Sequence, residues 1–484
     1  MIRCSYIPIK YSPLFLIFIL VTAACTNWSP RVNRYGLPER KYIYQMPEEI
    51  DDGWETSSLT MEGLDSSKIK DMINSIVNKR QKGIHSVLLV KNGKLVLEEY
   101  FYGYNRDRLH ALHSVSKSIT SMLVGIAIDR KMIPNVNKQV YEFFPDYIDT
   151  RWVDQKYDIT LEQVLTMSAG IDWDERSKPL TNSRNDIVAL VRYSDDWIRY
   201  VLNKELVEPP GERFNYSGGL NILLGGIIKE SSGLYADKFA ERYLFGPLGI
   251  SEYRWHRHLD GTINTQGGLA LRPRDMAKIG YVMLKGGNWK GKHIISQEWI
   301  KESTEYHITA YLGYGYGYQW RSGKTIINEE PIRTFFAAGR GGQFIFVFPT
   351  LDLIAVFTSS IHDNVLYYQP FGIVTKYILP AAIPSASHRE AIKLDSKVLK
   401  EYTGKYVSKA DKIDINIRKG ENALYFRVGF REKVELFPVT QSQFYGSSTI
   451  FGDIQAKFVR GTDGKIESMI VHFALTTLRF DKIS

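Results

Sequence analysis

Residues 110–131, HALHSVSKSITSMLVGIAIDRK, constrain the fold more than any other stretch of this chain. From Val115 the run is strongly helical and apolar nearly all round, and a helix of that kind is buried on every side. With 484 residues, 44% hydrophobic and 24% charged, the chain has room for two or three domains and a core able to hold it. Ser114 stands at the head of the helix and Lys117 three positions on, so the two side chains share a face. Unpaired N–H groups and the helix dipole favour negative charge at that end. A nucleophile that must become an alkoxide, beside an amine able to take its proton, needs this arrangement. The spacing alone is cheap. Ser67 and Lys70 repeat it at the start of an amphipathic helix, where it reads as ordinary helix-start chemistry.

The N-terminus reads as an export segment. Arg3 and Lys10 precede a short uncharged run, LFLIFILVTAA, too short to favour a membrane-spanning helix. Thr22, Ala23 and Ala24 then lead to Cys25, an arrangement that resembles the lipobox of bacterial lipoproteins, with Thr22 where leucine is usual. The expectation is a signal over 1–25 with Cys25 as the lipidation site. The alternative is simple cleavage near the same point. Either route gives an exported protein facing the periplasm or cell exterior, held to the membrane only if Cys25 is acylated. Cys4 and Cys25 are the only cysteines, so the exported body has neither disulfide nor thiol nucleophile. Losing Arg3 and Lys10 takes the net charge from +9 to about +7, which solvated faces absorb. No basic stripe argues for nucleic acid.

A polar tether over 26–60 precedes a main domain over 61–380, a linker over 381–396 and a small all-β domain over 397–484. Within the main domain, a helix is expected over 64–79 and strands over 86–90 and 95–100, joined at Asn92-Gly93. Helices follow over 161–167, 187–202, 221–232 and 274–284, then strands over 315–320, 343–348 and 353–358 and a helix over 366–378. Strands first, helices in the middle and strands last imply an α+β fold, an antiparallel sheet flanked by helices with a helical insert. The short strands and clear turns after 397 suggest a barrel or sandwich.

Two further segments carry chemistry. Tyr216 lies in PGERFNYSGG, and a tyrosine acts as a base near neutrality only where cations stabilise its phenolate. The bland reading is a buried tyrosine with its hydroxyl satisfied. Gly339, Arg340, Gly341, Gly342 and Gln343 lead into an apolar strand; such an entry lets a ligand or backbone approach and leaves N–H groups for an oxyanion, or is simply a tight loop. Trp173 either walls a pocket or fills core. Other patterns fail: Gly286–Lys292 nearly matches a phosphate loop but His293 replaces the Ser/Thr, no G-x-S-x-G elbow occurs, and the histidines lack metal-ligand spacing. His113 points about 100° away from its neighbour Ser114 on a helix and reads as structural.

Taken together, HSVSKSITS (113–121), ITLEQVLTMSAG (159–170), FNYSGG (214–219), LFGPLGI (244–250) and GGLALRPRDMA (267–277) resemble the β-lactamase-related serine hydrolases over roughly 64–379. The branch they resemble most is the class C-like esterases and the 6-aminohexanoate-dimer hydrolase group, with an appended β domain. The resemblance implies a β-lactamase/penicillin-binding-protein-like fold. It makes Ser114 the nucleophile, Lys117 its proton acceptor, Tyr216 the base that also activates water, and the amides of Ser114 and Arg340 the oxyanion donors. Trp173, Gly339, Gly342 and Gln343 would line the substrate site; no cofactor or metal is implied. Two departures stand out: the third residue of Tyr-x-Asn is Gly218, and Lys-Thr-Gly becomes Ala337-Ala338-Gly339. Both argue against penicillinase activity and leave a small ester or amide as the substrate. A peptidase on D-amino-acid cell-wall peptides and a non-catalytic envelope binding protein are the competing expectations.

Overall fold

Asn92 and Gly93 both take positive φ (52° and 82°), the left-handed pair that lets a two-residue turn follow strand twist. They join β1 (Ile84–Lys91) to β2 (Lys94–Tyr100). After a long, mainly helical insertion come β3 (Ile308–Thr309), β4 (Gly315–Tyr316), β5 (Arg321–Ile327), β6 (Glu330–Gly339), β7 (Gln343–Phe348) and β8 (Leu353–Ser359). All eight form one antiparallel sheet in the order β2-β1-β8-β7-β6-β5-β4-β3. The computed structural model describes residues 41–147, 154–327, 330–363, 365–383, 391–428 and 432–483. The export segment, Cys25, the start of the tether and the middle of the linker lie outside them.

The sheet is covered on both faces, which is why its central strands read as continuous apolar runs. Phe344, Phe346 and Phe348 of β7 point into a cluster with Val87, Leu89, Phe371, Ile378 and Ile69, Met72 and Ile73 of α1 (Ser66–Val77). Ile345 and Val347, one residue out of phase, join the opposite cluster. That second cluster holds α2 (Val115–Asp129), α3 (Gly218–Ser232) and α4 (Pro273–Leu284). In α2 every residue from Val115 to Ala127 is buried, as its composition demands.

The helix expected over 187–202 is two, Asp186–Tyr193 and Trp197–Leu202. Ser194 is extended and the Asp196 carboxylate accepts from the Arg199 amide, so cap-forming side chains interrupt what hydrophobic spacing would continue. The strand expected over 315–320 stops at Tyr316, and Gln319 turns the chain with φ 65° before β5 begins.

The C-terminal part is a closed barrel of eight strands, each paired with its sequence neighbours: β9 (Gly404–Ser408), β10 (Ile413–Lys419), β11 (Leu424–Val428), β12 (Glu432–Pro438), β13 (Gln443–Ser448), β14 (Gly452–Arg460), β15 (Ile466–Phe473) and β16 (Thr476–Lys482). Tyr406, Leu424, Leu436, Phe444, Phe458, Met469 and Phe480 are among the side chains that fill it. The β15–β16 turn presses on the main sheet, where Leu475 O accepts from Lys324 N of β5 at 3.1 Å and Ala474 O accepts from the Tyr314 hydroxyl.

Candidate active site

Ser114 is the N-cap of α2, with helical backbone angles (φ −66°, ψ −7°) and no capping bond from its side chain, so its hydroxyl is left for other work. The residue before it, His113, holds φ 48°, an uncommon left-handed conformation for a histidine. The Ser116 amide and hydroxyl both donate to His113 O, at 3.0 and 2.7 Å, and fix this turn. One helical turn on, Lys117 is only 2% exposed. Its Nζ donates to Ser114 Oγ at 3.3 Å, to Gln266 O at 2.6 Å and to Gln266 Oε1 at 3.3 Å. Among the described residues no carboxylate pairs with it. His113 is held down at about 4, by burial first and then by the charge of nearby Arg340, so it is neutral near pH 7.

Tyr216 enters from the loop before α3. Asn215 anchors that loop, its amide to Met167 O at 2.8 Å and its side chain to Trp173 O at 3.1 Å. Ser217 caps α3 through Leu220 N. The half-buried Tyr216 ring then faces Lys117, with Nζ 5.0 Å from its centroid. Arg321 also borders this ring, with Cζ 5.7 Å from the same centroid and within hydrogen-bonding reach of the Tyr216 side chain.

The glycine-rich loop closes the third side. Gly339 ends β6 directly against the approach to α2: a Cβ there would fall 2.1 Å from Leu112 O and 3.2 Å from Val115 N. Neither the Ser114 amide nor the Arg340 amide is taken up by another hydrogen bond among the described residues. Two such N–H groups beside a nucleophile are what an oxyanion hole is made of.

The remaining expected substrate contacts sit elsewhere. Gly342 faces the sheet, where a Cβ would meet Ser359 Oγ at 2.2 Å. Gln343 is 1% exposed, its amide nitrogen donating to Ser359 O (2.7 Å) and its oxygen accepting from Ser359 N (3.1 Å). Both shape the loop from behind, because the first residue of β7 alternates inward. Trp173, 4% exposed, is core: it packs behind Gly219 and donates its indole N–H to Glu175 at 2.8 Å. Ser67 Oγ donates to the Asp65 cap of α1, an exposed helix start. Among the described residues no group of three or more His, Cys, Asp or Glu side chains gathers to hold a metal.

Two site residues escaped the sequence reading, Gln266 and Arg321. Gln266 had a signal, since it immediately precedes the 267–277 segment. Arg321 had none, because nothing local marks the first residue of β5 as a neighbour of Tyr216.

Residues 70–366 match the family model described as Beta-lactamase. A 6-aminohexanoate-dimer hydrolase of Paenarthrobacter ureafaciens is 29% identical over 229 residues, which are 44% of this chain and 55% of that protein. The chain thus spans about half the length of that relative. In fold it is similar to a family VIII carboxylesterase (TM-score 0.50, 17% identity, 61% of this chain and 92% of that one). It is similar also to SurE (TM-score 0.50, 14% identity, 88% and 100%).

Proposed function

Because this chain belongs to the Beta-lactamase family, we propose that it is a serine hydrolase cleaving a small ester or amide through an acyl-enzyme on Ser114. The observation that carries this reading is the 3.3 Å contact between Lys117 Nζ and Ser114 Oγ at the head of a buried helix, with Tyr216 against the same amine. Ser114 Oγ attacks the substrate carbonyl while its proton passes to the Lys117–Tyr216 pair. The carbonyl oxygen becomes an oxyanion between the amides of Ser114 and Arg340. Collapse breaks the bond to the alcohol or amine, which leaves with the proton held by the pair. Water then gives the pair a proton and attacks the acyl-enzyme; collapse breaks the bond to Ser114 Oγ, which takes that proton back from the pair as the acid leaves.

Ala337 and Ala338, both buried in β6, offer no cation to a β-lactam carboxylate, which supports ester or amide cleavage over penicillin hydrolysis. The test is the intact mass after exposure to a fluorophosphonate, with Ser114→Ala alongside. A single adduct on the wild type and none on the variant is expected; a folded wild type that takes no adduct overturns the reading. On the sequence alone, we also propose that the protein is exported and tethered through Cys25. Release from the membrane fraction by Cys25→Ala is the expected result.

A further inference from the structure

The first residue of β5 is a half-buried arginine in the wall of the site that has no acidic ion-pair partner among the described residues. Arg321 Cζ lies 5.7 Å from the Tyr216 ring centroid and 5.6 Å from that of Tyr316. The groups that act most strongly on its charge are the phenols of Tyr316, Tyr216 and Tyr367, and among the described residues no carboxylate forms an ion pair with it. Glu175, on the adjoining loop, uses one of its oxygens to accept from Trp173 Nε1 at 2.8 Å and from Gly218 N at 2.6 Å, and its charge reaches Tyr316 without an ion pair to Arg321. A second arginine, Arg176, stands at the rim with Cζ 3.8 Å from the centroid of the exposed Tyr311 ring, and its charge also reaches Tyr367 and Tyr368. It too lacks a carboxylate partner among the described residues.

A half-buried guanidinium bordered by phenols, with no ion-pair partner among the described residues, is free to take a bound anion. Its planar fork matches a carboxylate in a way a lysine does not. The position matters as much as the charge. The ring that Arg321 touches is the one 5.0 Å from Lys117 Nζ, and Lys117 in turn contacts Ser114. The guanidinium and the catalytic amine thus border the same phenol.

We propose that Arg321 receives a carboxylate of the substrate, so that this site prefers esters or amides carrying a free acid group a short chain away from the scissile carbonyl. The assignment rests on the hydrolase reading above and narrows it to acidic substrates. Arg176 at the rim adds a second positive charge on the path such a substrate takes.

The test compares 4-nitrophenyl hydrogen glutarate with neutral 4-nitrophenyl pentanoate on the full-length protein, with Ser114 labelling by a fluorophosphonate measured on the same samples. The expected result is a kcat/KM ratio favouring the acidic ester by about tenfold or more, the size of one charge-assisted hydrogen-bonding pair. In Arg321→Gln that ratio falls to about one, and Arg321→Lys recovers part of it, as a point charge without the fork should. A wild-type ratio at or below one overturns the proposal without recourse to any variant. So does an Arg321→Gln protein that slows both esters alike and keeps the ratio, because Arg321 then only positions Tyr216. A folded protein that takes no adduct on Ser114 fails at the hydrolase reading itself, whereas one labelled there yet indifferent to the acid group fails on Arg321 alone.

Discussion

Gly339 and Leu112 meet so closely that a single added carbon on the glycine would stand 2.1 Å from the Leu112 carbonyl oxygen. The end of β6 and the approach to α2 therefore share one seam, and the loop bearing Arg340 is fixed relative to Ser114 by backbone contact. Gly339→Ala must force strand and helix head apart. The expected cost is about 3 kcal/mol, the upper end for overpacking. A shift of about 1 Å in reacting groups lowers kcat/KM by about a hundredfold. Urea unfolding and an ester assay check both, and unchanged activity would detach the loop from catalysis.

Gln266 offers a finer cut. Its backbone oxygen holds Lys117 Nζ at 2.6 Å and its side-chain oxygen at 3.3 Å. Gln266→Ala removes only the longer contact. The expected loss is about 1 kcal/mol of positioning, roughly a fivefold fall in kcat with the fluorophosphonate adduct still on Ser114. Lys117→Ala, which removes the proton acceptor, should cost at least about a hundredfold. Equal losses in the two variants would show that the side chain of Gln266, not its backbone, orients the amine.

These residues also mark what the sequence made legible. Ser114 and Lys117 lie one turn apart on a helix whose apolar character announces its burial, so local pattern finds them. Tyr216 was visible through its turn and glycines. Gln266 meets Lys117 across 149 positions, because Thr120 Oγ1 donates to Thr265 O and lays that segment along α2. The only local trace of this packing is the 267–277 segment that Gln266 immediately precedes. Gln343 misled for a related reason: a glycine-rich entry looks like a ligand loop, but strand alternation turns its side chain inward to Ser359. β6 was not expected from the sequence; Pro331 near its start is disfavoured in a strand interior, yet it pairs in register with Ile326.

Acid stability should follow the histidines. His85 stacks on Tyr104 at 3.9 Å, and its Nδ1 is 2.9 Å from His110 Nε2. Burial, then the charges of His110 and Arg108, bring it from the usual 6.5 down to about 4. The unfolded chain binds that proton first, so the contribution of neutral His85 is intact above pH 6.5 and is lost as pH falls from 6.5 toward 4. The urea midpoint should drop through that window, and less steeply in His85→Gln. Parallel curves would mean that His85 titrates alike in both states.

The barrel ought to be inseparable from the sheet it touches. Pairing of β5 with β4 ends at Ser322, so the outer edge of the sheet beyond it would be open. The barrel covers that edge: Leu475 O takes the Lys324 amide at 3.1 Å, and Gln455 Nε2 donates to Ile326 O at 3.0 Å. Leu475 itself is 0% exposed, in the same cluster as Tyr314 and Phe371. Leu475→Ala should cost about 2–4 kcal/mol, as a large-to-small change in a core does. A chain ending at residue 383 loses the cover altogether, and an unpaired strand edge beside exposed apolar side chains promotes association. Size-exclusion chromatography should therefore show it aggregated where the full chain is not. Because Arg321 begins the strand that the barrel holds, Leu475→Ala should also weaken the preference for acidic esters before it abolishes Ser114 labelling. A truncated chain that stays monodisperse and keeps that preference would make the barrel a passenger on the sheet.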